Sequence, residues 1–105
     1  MNAPQRIQLT RRRGWRMPAG AVKVDRSTRW GNPYRPGGPV WRNKGIGKVR
    51  DTAEAVELFR RLVAPHMADI AQLRGKDLAC WCKPGEPCHA DVLIELANRP
   101  IGAVA

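Results

Sequence analysis

The ten residues CWCKPGEPCH, Cys80 to His89, hold all three cysteines of the chain and one of its two histidines. Thiolates and imidazoles ligate metals, attack electrophiles or simply pack. As a metal set, Cys80, Cys82, Cys88 and His89 supply the ligand types zinc prefers. Their C-x-C-x5-C-H spacing departs from the commoner C-x2-C clamp, however. As a catalytic set, Cys88 is the nucleophile, His89 its acid/base partner or a ligand anchor, and Cys82 a second thiol at the reacting end. A phosphatase-type loop needs an arginine at the sixth position after its cysteine, and Cys88 stands there instead. Cys80, deepest in its apolar run, also fits a role as a small buried residue.

A second group lies in DRSTRWGNPYR. Here Arg26 and Arg29 offer guanidinium forks suited to phosphate, and Trp30 and Tyr34 offer rings on which a base can stack. Gly31 allows close backbone approach, and Asn32 adds an amide. We take Arg26, Arg29, Trp30, Gly31, Asn32 and Tyr34 as candidate ligand-binding residues. The plainer alternative has Trp30 plugging the core while the arginines are solvated, and the two readings are compatible. Asp25 and Asp91 are reserve acid/base candidates.

The elements that must position these groups are short. RIQLT and AVKVD alternate apolar and polar residues as half-buried strands do. DLACWC is an apolar run suited to a buried strand reaching Cys82, with Cys80 and Cys82 on one face and Trp81 on the other. DTAEAVELFRRLVA predicts a helix opened by an Asp51/Glu54 capping box, with Ala55, Val56, Phe59, Leu62 and Val63 on its inner face and Pro65 at its end. HMADIAQL predicts a second short helix stopped by Gly75. After the KPGEP turn, CHADVLIELAN predicts a third, with Pro87 at its first position. Between Arg26 and Lys48, eight Gly or Pro residues predict a long, basic, irregular loop. The expected architecture is a single α/β domain over residues 1–105, with a mainly parallel sheet flanked by helices. If the Val22–Asp25 and Leu78–Cys82 strands are parallel neighbours, the two candidate groups leave the same sheet end and form one site.

Charge is divided unevenly. Residues 1–50 carry thirteen Lys or Arg against one acid, while residues 51–105 carry six against eight, for a net charge of +10. A basic half beside a near-neutral half points to a polyanionic partner, namely a nucleic acid, a nucleotide or an acidic protein surface. No apolar run approaches membrane-spanning length and no signal-like segment opens the chain, so a cytoplasmic protein is expected. In that compartment three clustered cysteines argue against a disulfide framework.

VKVDRSTRWGNPY and LRGKDLACWCKPGEPCHADVLIELAN resemble the domain-of-unknown-function family numbered 4326, found in bacteria and frequent in bacteriophages, over roughly residues 4–98. The strand, turn and helix around the cysteines are also similar to the end of an uncharacterised bacterial family numbered 488. That family has a Cys-His-Arg helix start, where this chain has Ala90. The resemblance implies a small α/β fold and a phage or bacterial source, and no reaction comes with it. Two functions remain. In the first, a cysteine-dependent enzyme binds a nucleotide or nucleic-acid phosphate at the Cys/His site beside a helix N-terminus and needs no cofactor. In the second, a non-enzymatic nucleic-acid or host-protein binding module carries a structural Cys/His cluster, with zinc as its metal. Trp15, Trp41 and neighbouring arginines would then form the contact surface.

Overall fold

The computed structural model describes residues 4–42 and 45–99. Three strands, β1 (Arg6–Gln8), β2 (Val22–Lys23) and β5 (Leu78–Cys80), form a parallel sheet in the order β1-β5-β2. β5 is central because it is apolar on both faces, and all three of its residues are buried. Register places Arg6 and Val22 on either side of Leu78, and Ile7 and Lys23 on either side of Ala79. The expected parallel pairing of the second and last strands is therefore present.

Helix α1 (Thr52–Val63) is opened by Asp51, whose carboxylate accepts the Glu54 amide at 2.8 Å. The return half of the expected capping box is absent. Glu54 instead accepts from the Arg50 amide and binds the Arg42 and Arg50 side chains. Ala55 and Phe59 are buried, but Leu62, expected inside, is 43% exposed. α1 gives way to a 3-10 turn at Ala64–His66, set by Pro65. A short helix α2 (Met67–Ile70) and a second 3-10 turn (Ala71–Leu73) follow. Helix α3 (His89–Ala97) starts after an extended Cys88, so Pro87 precedes the cap and does not open the first turn.

The main core gathers Val24, Phe59, Ile70, Leu78, Leu93 and Leu96 around Cys80 and Cys88. A smaller core joins Val40, Val49 and Ala55, with Tyr34 and Leu58 against it. α1 belongs to both, through Phe59 and Ala55.

The basic loop is more ordered than its composition predicts. Its second half is an antiparallel hairpin of β3 (Pro39–Arg42) and β4 (Gly45–Lys48), with Trp41 paired to Ile46. Gly45 and Gly47 hide the alternation a strand normally shows, because glycine contributes no side chain to the pattern. Among the described residues, no helix is long and apolar enough to cross a membrane.

Candidate functional site

The central strand ends at Cys80, two residues earlier than expected. Cys82 lies beyond it in the turn, and Cys88 caps α3. The turn is nevertheless tight enough to return Cys88 to the strand end. The sulfurs of Cys80, Cys82 and Cys88 all lie within 4.8 Å of one another. Cys80 and Cys88 are 3.1 Å apart and fully buried, whereas Cys82 is half-buried. All three are free thiols. This trio is a group that could hold a metal ion.

His89 stands beside the trio rather than within it. Its Nε2 faces the Val24 carbonyl, which can only accept, so Nε2 carries the proton. In the neutral ring Nδ1 is then a free acceptor, 3.9 Å from the Cys88 sulfur. Phe59 packs edge-on against the ring, with centroids 5.3 Å apart. The imidazole is thereby fixed in orientation by β2 and α1 together.

The turn itself is held by Arg6, a residue the sequence reading did not single out. From β1 its guanidinium donates to the Glu86 carbonyl at 2.8 Å, the Lys83 carbonyl at 3.0 Å and the Asp91 carboxylate at 2.9 Å. One side chain thus binds both ends of the KPGE turn and the first turn of α3. The only signal in the sequence was an arginine at the start of a short apolar strand.

The electrostatics favour one thiolate. The Cys80 hydrogen bond holds Cys88 far below the usual thiol range, at about 3. Burial opposes this, while Cys82 and the Ala90 amide assist. Cys80 is pushed strongly up, first by that same hydrogen bond and then by burial. Cys82 is raised to about 11, mainly by burial. One negative charge shared over a buried cluster is the arrangement low dielectric allows. Of the reserve carboxyls, Asp91 is raised by burial against the pull of Arg6. For Asp25 burial also acts upward, but bonds from Ser27 and Trp81 outweigh it and the pKa falls.

A pocket of about 280 Å³ joins the two sequence blocks. Asp25, Arg26, Asn32 and Tyr34 line one side, and Cys82, Cys88 and His89 the other. It opens at the carboxyl ends of β2 and β5, where ligands of parallel sheets bind. The candidate residues play unequal parts around it. Arg26 donates to the Asn32 and Tyr34 carbonyls at 3.0 and 3.1 Å, so its fork braces the loop. Asn32 is buried, donating to the Ala55 carbonyl and accepting the Tyr34 amide. Arg29 stacks on Trp30 at 4.5 Å, and with Gly31 they border a separate hollow against Phe59. Gly31 is required by contact. A Cβ there would meet the Arg26 Cα at 2.5 Å and the Asp25 carbonyl at 2.6 Å.

Comparison with known proteins adds a lineage. An uncharacterised 12.4 kDa protein of Enterobacteria phage T4, from the nrdA-td intergenic region, is 36% identical over 86 residues, which covers 74% of this chain and 68% of the phage protein. No solved structure matches. Residues 7–99 match a family described as a domain of unknown function, DUF4326, and the chain belongs to that family.

Proposed function

We propose that the chain is a metal-holding ligand-binding domain. Cys80, Cys82 and Cys88 ligate one zinc-class ion at the floor of the pocket, and the pocket admits a nucleotide or a nucleic-acid phosphate. The observation that carries this reading is the convergence of three sulfurs within 4.8 Å from a strand, a turn and a helix cap. Thiolate arms of ~2.3 Å about a tetrahedral ion put sulfurs roughly 3.8 Å apart, between the 3.1 Å of Cys80 and Cys88 and the 4.8 Å that bounds the trio, so the buried pair would part slightly to take the ion. Three protein ligands leave a fourth position, as sites that bind exchangeable ligands do. His89, anchored on the Val24 carbonyl, would orient its neighbour Cys88 in the manner of groups that support metal ligands. Arg6 and the α3 N-terminus offset the thiolate charge.

A second reading is favoured by a specific arrangement. Cys88 lines the pocket as the thiolate of the cluster, and the His89 Nδ1, 3.9 Å from its sulfur, is placed to accept a proton from a bound ligand. Here Cys88 acts without metal on an electrophilic ligand, and Cys82 and His89 share the reacting end.

Metal analysis of the protein purified without chelator separates them. The first reading expects one zinc per chain, lost in Cys82→Ser and restored to the parent by added zinc. No metal retention after reconstitution, with unchanged melting in the presence of chelator, would remove it. Selective labelling of Cys88 by an electrophile would then support the nucleophile.

A further inference from the structure

The hairpin β3–β4 has two unlike faces. Its inner face is fastened down. Val40 enters the smaller core, and Arg42 crosses Gly47 to the Lys48 carbonyl at 2.6 Å and the Glu54 carboxylate at 2.7 Å. Gly47 is part of this fastening, since a Cβ there would meet the Arg42 Nε at 2.8 Å. Its outer face is left bare. Trp41 is 80% exposed and its cross-strand partner Ile46 is 70% exposed. Beside them lies the next pair, Pro39 and Lys48, also outward. A hairpin fastened on one face that turns a tryptophan out to water on the other holds an aromatic ring ready for a partner.

Charge says which partner. Residues 26–50 contain seven Lys or Arg and no acid. Glu54 engages Arg42 and Arg50, but Arg35 and Lys48 hold no ion pair among the described residues. Two hollows flank the hairpin and share Tyr34. One is bordered by Trp41 and Ile46, the other by Arg35 and Gly38. An exposed aromatic ring, with Lys48 on the same face and Arg35 beside the start of the hairpin, matches an unpaired polynucleotide, whose bases stack while its phosphates seek charge.

We propose that the outer face of β3–β4 is a stacking platform for single-stranded nucleic acid, with a base on Trp41 and flanking phosphates on Lys48 and Arg35. The surface is separate from the sulfur cluster and does not depend on what that cluster holds. A duplex keeps its base faces covered, so it gains only the charge contacts.

Fluorescence anisotropy with labelled oligo-dT and oligo-rU of about twelve nucleotides tests this, at low and at raised salt. The parent should bind both strands more tightly than a duplex of the same length. Trp41→Ala should weaken strand binding about tenfold, the cost of losing one stacked base. Lys48→Gln should reduce the salt slope by about one. Circular dichroism checks that both variants fold, as these exposed positions allow. Absence of strand binding at low salt, or Trp41→Ala binding as tightly as the parent, overturns the proposal. A Trp41-dependent dimer in sedimentation, with no strand bound, overturns it in favour of a second copy of the chain.

Discussion

Trp81 donates its indole N–H to the Asp25 carboxylate at 2.8 Å, across 56 residues of sequence. Asp25 ends the apolar run of β2, and Trp81 follows the last residue of β5. The bond therefore ties together the two loops that form the pocket. Asp25 is otherwise occupied by Ser27, which donates both its amide and its hydroxyl, and by Lys23 at 3.7 Å. Trp81 is 44% exposed, so its ring is a lever on the pocket rim more than a core residue.

Trp81→Phe keeps a ring and deletes the donor. Hydrogen bonds to a charged group contribute about 1.5–3 kcal/mol, and Ser27 still covers part of the carboxylate, so a loss of about 1–2 kcal/mol is expected. Urea unfolding measures it. A change below a few tenths would mean that water replaces the indole without cost.

Acid should act on Glu54. The Arg42 hydrogen bond, helped by the Arg50 amide, lowers its pKa from 4.5 to about 2. A depressed carboxyl contributes stability that is complete above its unfolded pKa and is lost as pH falls through the folded value. The contribution therefore fades between about pH 4.5 and 2, loosening the hairpin from α1. Glu54→Gln should flatten that limb of the stability profile. A carboxyl resonance of Glu54 titrating near 4.5 would show that Arg42 is not bound there.

Gly31→Ala tests the packing of the WGNPY segment. The added methyl would strike backbone atoms of Asp25 and Arg26, which cannot swing aside as a side chain tip can. Overpacking of this kind costs about 1–3 kcal/mol. Thermal melting should fall accordingly, and the pocket ligand should bind more weakly because the struck backbone lines the pocket.

The sequence made the parallel sheet legible because its signals are local: two alternating runs, one wholly apolar run, and a strand-turn-helix that fixes direction. The joint pocket followed from the sheet, since parallel neighbours end on the same side. The hairpin was illegible because glycines carry two of its eight strand positions and Trp41 faces water, which reverses the usual sign of an aromatic. Arg26 took on a bracing role that its residue type alone does not reveal. A fork suited to phosphate is equally suited to carbonyls, and its own loop supplies two. Glu54 followed the same logic, leaving its capping partner for two guanidinium groups. Such competition among partners is settled by tertiary distance, which spacing along the chain does not encode.

Arg6 is the residue outside the trio on which the cysteine geometry should depend most. Its side chain is 14% exposed and reaches Lys83, Glu86 and Asp91 from the opposite edge strand. The turn it closes contains Gly85, with φ of 85°, and has few apolar anchors of its own between Cys82 and Cys88. Lysine in its place keeps one charge and loses the planar fork, so it can satisfy at most part of the three acceptors. Arg6→Lys should therefore cost about 1–3 kcal/mol, the range for charge-assisted bonds to groups left short of a donor. A purely global loss of stability would leave amide exchange uniform below the unfolding limit. Release of the turn would instead raise exchange selectively over residues 83–88 while α1 stays protected, and hydrogen exchange read by mass spectrometry distinguishes the two. The second pattern is expected. With the turn released, Cys88 should drift from Cys80, and zinc affinity should fall by more than the stability change alone would give. Unchanged metal affinity together with selective exchange would mean that the cluster is set by β5 and the α3 cap without the clamp.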